Sequence, residues 1–159
     1  MPHIPKGRTG SRPKGPGLTL IVALLTTVLP LAALAQGPSS LPPMSTITFA
    51  PGSSTTTVSG QVQPGGRTLY YVAAQAGQTM TVSLNPAAGL AFQVYRPDTT
   101  IAGATDGSPL ITGRTLPDAG SGDNAQAWMG ALPATGDYLI TVGPTGPAGA
   151  LFSLTITLR

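Results

Sequence analysis

From Ser45 onward, polar and apolar residues alternate with a period of two, in short runs that end at turns rich in proline and glycine. Residues 78–84 show the pattern most cleanly, with Met80, Val82 and Leu84 on one side and hydroxyl-bearing residues on the other. Successive side chains of a β-strand point to opposite faces, so this alternation is typical of half-buried strands. The sequence therefore predicts an all-β domain after the N-terminal region.

The runs and their turn signals predict about seven to nine short strands joined by short connections. Residues 99–123 break the regularity, and we expect loops there with one or two short strands. This spacing favours an antiparallel β-sandwich of the jelly-roll or immunoglobulin-like kind. A closed barrel is the alternative, because periodicity alone does not distinguish the two.

The stretch 128–142 is predicted to form a strand, a tight turn and a second strand, and it carries the single tryptophan of the chain. Aromatic side chains bury large areas, so we predict that Tyr71, Trp128 and Tyr138 anchor the core. Tyr138 follows Gly-Asp, which is typical of a tyrosine corner, in which the hydroxyl group bonds to the nearby backbone.

Three further residues are predicted to lie on the opposite faces of their strands, where they are candidates for contact with a partner. They are Tyr70, Tyr95 and Arg96. Aromatic and arginine side chains dominate many binding surfaces, which is the reason for choosing these three.

The first 35 residues have the pattern of a secretory signal peptide. A basic segment precedes the apolar run 18–29, and the small-residue motif ending at Ala35 predicts cleavage between Ala35 and Gln36. An uncleaved membrane anchor is the alternative, but the run is shorter than the roughly 20 residues that span a bilayer. We therefore expect a signal helix within 1–35, a Pro/Ser linker at 36–44 and a β-sandwich domain at 45–159, secreted to the periplasm or the exterior.

The charge of the chain is concentrated in this leader. The formal net charge is +3, but four of the eight basic residues lie within the first 14 positions. Removal of the leader leaves four arginines against five aspartates, a net charge of −1. The mature chain therefore lacks the basic footprint of a nucleic-acid-binding protein, and we expect no membrane contact after cleavage.

The composition also removes most catalytic chemistry. The chain has no cysteine, and its one histidine, His3, lies in the leader together with both lysines. A Ser-His-Asp triad, a thiolate nucleophile, a histidine-ligated metal and a Schiff-base lysine are therefore excluded from the mature chain. Acid–base work would fall on the aspartates alone, so we predict a protein that is not an enzyme and has no cofactor.

Calcium is the metal ion that the aspartates could bind, because Asp118 and Asp123 offer oxygen ligands in a flexible, glycine-rich segment. Their spacing lacks the Asp-x-Asp-x-Asp-Gly arrangement of a calcium loop. Both aspartates are better explained as solvent-exposed residues of turns, where aspartate is common, and we predict no metal site.

Two stretches resemble known bacterial domains. Residues 71–84, with the pattern Ala-Gly-Gln-Thr-Met-Thr-Val, and residues 128–142 resemble the β-sandwich domains of the pre-peptidase C-terminal kind. With residues 49–52 and 58–60, the layout is also similar to the periplasmic inhibitors of goose-type lysozyme. The resemblance covers residues 45–159 and implies a secreted, non-catalytic module. Such inhibitors carry an arginine-rich loop before the last strand, whereas residues 143–149 hold no charge here.

The sequence thus favours a secreted accessory module that binds an extracellular or envelope protein, or a polysaccharide. An inhibitor of goose-type lysozyme is the first alternative, and a structural protein of the cell envelope is the second.

Overall fold

The computed structural model describes residues 44–85, 89–103, 108–120 and 125–159. The predicted signal helix, the cleavage site at Ala35 and Gln36, and all but the last residue of the predicted linker lie outside these ranges. The described residues contain ten β-strands and no helix, and hence none that could cross a membrane.

The strands follow one another with short connections, as the density of turn residues requires. In chain order they are β1 (Met44–Ile47), β2 (Thr55–Val62), β3 (Thr68–Ala74), β4 (Thr79–Asn85), β5 (Leu90–Tyr95), β6 (Thr100–Gly103), β7 (Pro109–Thr112), β8 (Ala127–Ala131), β9 (Gly136–Pro144) and β10 (Ala150–Leu158).

Two four-stranded sheets form a sandwich. Sheet A has the strand order β1-β3-β9-β5 and sheet B the order β2-β10-β4-β8, while β6 and β7 form a separate hairpin. The pairings are antiparallel apart from β1 with β3, which is parallel. The predicted antiparallel β-sandwich is therefore confirmed, and the barrel alternative is wrong. The ten strands are more than the expected seven to nine, and the irregular region supplies two of them, β6 and β7, in agreement with the one or two short strands expected there.

The core lies between the inner faces of the two sheets. In sheet A, β9 aligns Ile140 with Tyr70 and Tyr138 with Val72, and all four side chains are buried. In sheet B the inward residues of β4 and β10 meet in the same way, as the sequence alternation predicts. Burial of these apolar side chains is the main favourable contribution to the stability of such a domain.

The predicted orientation of β3 is wrong. Tyr70 was expected to be an outward contact residue, but its side chain is only 6% exposed and its ring meets that of Phe152 edge-on, with centroids 6.3 Å apart. Tyr71, expected to anchor the core, is half-buried on the outer face. Apolar residues occupy both faces of β3, so its alternation is ambiguous, and pairing with β9 decides which face is buried.

One side of the sandwich is closed by an irregular segment rather than by a strand. Residues 114–120 run along β5, with Arg96 N–H donating to Arg114 O at 2.9 Å and Leu116 N–H donating to Val94 O at 2.8 Å. Leu116 and Ala119 are buried in the core. Trp128 on β8 is 8% exposed, and its Nε1 donates to Pro117 O at 2.9 Å. This tryptophan therefore links sheet B to the segment that covers the edge of sheet A.

The turn between β8 and β9 has the geometry of a tyrosine corner. The buried Tyr138 hydroxyl donates to Ala134 O at 2.6 Å and accepts from Ala134 N at 3.2 Å. These bonds confirm the prediction that its hydroxyl group binds the nearby backbone, and they hold the turn against the core.

Candidate functional site

Three connections between strands meet at one end of the sandwich, which we call the loop end. They are the β2–β3 turn (residues 63–67), the β9–β10 loop (residues 145–149) and Gly89, which precedes β5. Thr145 N–H donates to Gly89 O at 2.9 Å, so the β9–β10 loop is tied to the start of β5. Loops at the end of a rigid sandwich are a common place for binding residues.

The β2–β3 turn and the β9–β10 loop pack against each other closely. Gly66 N–H donates to Gln63 O at 2.9 Å, which closes the turn. A Cβ atom built on Gly149 would overlap Val62 O and lie 3.0 Å from Pro64 Cδ. Because no side chain fits there, glycine is needed at position 149 for the two loops to touch, and the loop end presents one joint surface.

Arg67 supplies the charge at this surface. Its exposed side chain lies over Gly143, where an added Cβ would be 3.5 Å from Arg67 Cγ. Its Nη1 donates to Gln93 Oε1 at 3.4 Å. Residues 145–149 carry no charge. The guanidinium group of Arg67 lies next to the last residues of β9, Gly143 and Pro144, where the β9–β10 loop begins.

Gln93 connects Arg67 to the outer face of sheet A. Its Oε1 accepts from the Tyr95 hydroxyl at 2.6 Å, and its Nε2 donates to Gly120 O at 3.2 Å. A cavity of about 40 Å³ lies among Arg67, Ala91, Gln93, Gly143 and Pro144. This space suits water and is far smaller than a site for a sugar or another organic ligand. The loop end can therefore engage a partner through its surface, rather than enclose a small molecule.

Tyr95 and Arg96 lie further along β5, away from the loop end. Both are half-buried, and the Tyr95 hydroxyl is engaged with Gln93. Arg96 Nε is buried and has no hydrogen-bond partner among the described residues. Their role as a contact site stays a prediction, whereas Tyr70 is removed from that group by its burial in the core.

The outer face of sheet B is a regular array of hydroxyl groups. Thr55 pairs with Thr157 at 2.9 Å, Thr57 with Thr155 at 2.9 Å, and Ser59 with Ser153 at 3.1 Å. An open depression of about 480 Å³ borders the array and is lined by Ser59, Gly60, Asn85, Leu151, Phe152 and Ser153. Cross-strand hydroxyl pairs of this kind stabilise a sheet. The depression is shallow and carries no charged side chain.

The described residues hold no group of three or more histidine, cysteine or acidic side chains that could bind a metal ion. Asp118 is exposed and has a φ of 59°, a left-handed turn conformation that aspartate tolerates. Asp123, its suggested partner for calcium, lies outside the described residues.

No protein-family model matches the chain, and no curated protein matches it either. Among solved structures, a periplasmic inhibitor of g-type lysozyme from Aeromonas hydrophila is 29% identical to the chain, with a TM-score of 0.54. The match covers 73% of this chain and 96% of that one. The chain resembles the g-type lysozyme inhibitors. Goose-type and g-type denote the same class of lysozyme, so the resemblance stated from the sequence is confirmed.

Two other solved structures are less similar to the chain in sequence. The inhibitor of g-type lysozyme from Salmonella Typhimurium is 20% identical with a TM-score of 0.50, over 73% of this chain and 97% of that one. The pre-peptidase C-terminal domain of a collagenase from Bacillus anthracis is 10% identical with a TM-score of 0.38, over 74% and 95%.

Sequence reasoning missed Arg67 as a functional candidate. The signal was present, because an arginine directly after Pro-Gly-Gly lies at the end of an exposed turn. What the sequence did not reveal is that this turn packs against the uncharged β9–β10 loop.

Proposed function

We propose that this protein is secreted, acts by non-covalent binding and inhibits a g-type lysozyme. The observation that carries the proposal is the 29% identity to the Aeromonas hydrophila inhibitor across 96% of that protein. Because that match spans nearly a complete inhibitor, it supports a function for the whole domain rather than for a shared fragment.

The loop end is the proposed contact surface, with Arg67 as its central residue. Glycoside hydrolases use paired carboxylates in the cleft that binds the polysaccharide. A guanidinium group pairs strongly with a carboxylate, often through two hydrogen bonds. Arg67 is exposed at the point where the β9–β10 loop of small residues begins, and this combination suits insertion of the loop end into an acidic cleft.

The test measures lysis of bacterial cell walls by a purified g-type lysozyme in the presence of this protein. The full chain is expressed in a secreting bacterial host and purified from the secreted fraction. We expect the wild-type protein to slow lysis, and Arg67→Ala to weaken inhibition about 10- to 100-fold, the range for loss of a hydrogen bond to a charged group. The matched control is Arg159→Ala, which removes an exposed arginine at the opposite end of the sandwich.

Two outcomes would contradict different parts of the proposal. Absence of inhibition by the wild-type protein would overturn the function. Equal inhibition by the Arg67→Ala and Arg159→Ala variants would leave the function standing and remove Arg67 from the contact surface.

We also propose that residues 1–35 are removed during secretion. The same preparation tests this step, because the intact mass of the secreted protein identifies its first residue. A secreted chain that starts at Gln36 supports cleavage, and recovery of the protein from the membrane fraction with the apolar run 18–29 retained favours the anchor alternative.

A further inference from the structure

Strand β2 lies at an open edge of sheet B. It is paired with β10 on one side and has no neighbouring strand on the other among the described residues. The opposite side of the sandwich is different, since residues 114–120 and Ala125 bond to the outer edge of β5. One side of the sandwich is therefore covered by irregular chain, whereas the other side ends in β2, an edge strand of eight residues.

The register shows which backbone groups face the open side. Leu158 N–H donates to Ser54 O at 2.8 Å, and β2 and β10 are paired without a bulge. In an antiparallel pair, hydrogen-bonded and non-hydrogen-bonded positions alternate. The even-numbered residues of β2 therefore bond to β10, and the N–H and C=O groups of its odd-numbered residues point outward.

The middle of this edge is free to pair. The Ser53 hydroxyl group donates to Thr55 O at 2.7 Å and accepts from Thr55 N–H at 3.2 Å. At the other end of the strand, Thr68 Oγ1 donates to Gln61 O over a long 3.4 Å. No hydrogen bond within the described part of the chain reaches the outward backbone groups of Thr57 and Ser59. These two residues present two donors and two acceptors in a row.

The usual protections of an edge strand are missing from β2. Natural edges are short, or they carry lysine, proline or a bulge that prevents pairing with another chain. The sequence Thr-Thr-Thr-Val-Ser-Gly-Gln-Val has no charge and no proline. The other edge strands are shorter, with four residues in β1 and five in β8.

We propose that β2 pairs antiparallel with β2 of a second copy of this chain, about a two-fold axis at Val58. In this register Thr57 faces the partner's Ser59, and Thr55 faces the partner's Gln61. Each pair joins residues whose backbone groups point outward, so the register is self-complementary. Thr57 and the partner's Ser59 can bond directly, whereas Thr55 would first exchange its bonds to the Ser53 hydroxyl group. The two B sheets become one continuous sheet of eight strands.

The side chains of the pair are compatible as well as the backbone. On the outer face, Thr57 and the partner's Ser59 continue a pattern in which neighbouring hydroxyl groups already pair across strands. No charged side chain lies on β2, so no repulsion opposes the contact. Because the strands are antiparallel, the two loop ends lie at opposite ends of the dimer, and Arg67 stays accessible in each copy.

The first experiment measures the mass of the secreted protein by sedimentation over a range of concentrations. We expect the mass to double as the concentration rises. Thr57→Lys with Ser59→Lys places lysines opposite each other across the axis and should restore the monomer. The matched control, Ala127→Lys with Met129→Lys, places the same charges on exposed positions of β8, and should leave the dimer intact. Circular dichroism establishes that both variants fold.

The second experiment uses the absence of cysteine from the chain. Val58 faces the partner's Val58 as a non-hydrogen-bonded pair, with Cα atoms about 4.5 Å apart, which lies within the range of a disulfide. Val58→Cys should therefore form a disulfide-linked dimer on mild oxidation. Thr55→Cys is the control, since it faces the partner's Gln61 and should cross-link at least tenfold more slowly.

A monomer at every concentration would overturn the proposal. So would a dimer that survives the lysine pair on β2, or a Val58→Cys variant that cross-links no faster than Thr55→Cys. Each of these results is independent of lysozyme inhibition, so failure of the dimer and failure of the proposed function can be told apart.

Discussion

Trp128 contributes to stability through both its ring and its indole N–H. The ring lies beside Gly130, where any added Cβ would overlap it, and the N–H donates to Pro117 O at 2.9 Å. A smaller residue at position 128 would leave a cavity and release the segment that closes the sandwich.

We expect Trp128→Ala to lower the free energy of unfolding by about 3–5 kcal/mol, as for other large-to-small core substitutions. Urea denaturation measures this loss. Met129→Ala is the control, because that side chain is 72% exposed, and its change should stay within about 0.5 kcal/mol. A loss below about 1 kcal/mol for Trp128→Ala would contradict a core role.

Tyr70 makes stability depend on pH in the alkaline range. Burial raises its pKa above the ordinary value of 10.0, so the folded state keeps the phenol proton at a pH where the unfolded state releases it. The contribution of Tyr70 to the free energy of unfolding is fully present below pH 10, and it declines as the pH rises from there toward the pKa of the folded state.

The variant Tyr70→Phe should therefore show a weaker decline of unfolding free energy above pH 10 than the wild-type protein. Denaturation curves recorded between pH 8 and pH 11.5 measure the two slopes. Met129→Ala, which removes an exposed side chain that does not ionise, is the control and should keep the wild-type slope. Identical slopes for wild type and Tyr70→Phe would refute the assignment.

At the level of elements, the β9–β10 loop depends on close contact with the β2–β3 turn. Gly149 allows that contact, whereas Gly146 in the same loop has no atom within 4 Å of an added Cβ. A methyl group at position 149 would meet backbone, which cannot move aside as a flexible side chain would.

We predict that Gly149→Ala lowers the free energy of unfolding by about 1–3 kcal/mol, the usual cost of overpacking. Gly146→Ala is a control within the same loop and should cost less than about 0.5 kcal/mol. Thermal unfolding measures both. Equal melting temperatures for the two variants would show that the loops are not packed as described.

The elements also show where sequence reasoning succeeds. The alternation in β4 and β10 is clean, and their inward residues are those that the period of two selects. In β3 both faces are apolar, so the period does not choose between Tyr70 and Tyr71. The register with β9 resolves the choice, since it sets Tyr70 opposite the buried Ile140.

At the scale of the whole molecule, the two proposed contact surfaces lie on different parts of the sandwich. The loop end gathers the β2–β3 turn, the β9–β10 loop and Arg67, and it is the proposed lysozyme contact. The open edge at β2 is the proposed dimer contact. Both surfaces use parts of the chain that the sequence shows to be uncharged or weakly charged. The loop end joins segments that are distant in the sequence, whereas the open edge is the single strand β2.

The sequence by itself determined the all-β class, the tyrosine corner at Tyr138 and the residue types that are missing from residues 36–159. These features follow from local periodicity, turn chemistry and composition, which need no knowledge of distant contacts.

Only the tertiary structure decided that the domain is a sandwich and not a barrel, that Arg67 lies over the end of β9, that Leu116 and Ala119 enter the core, and that β2 is left at an edge. Each of these depends on which strands become neighbours. Strand order is set by long-range pairing, as between Thr55 and Thr157, which are 102 residues apart, and no local pattern in the sequence encodes it.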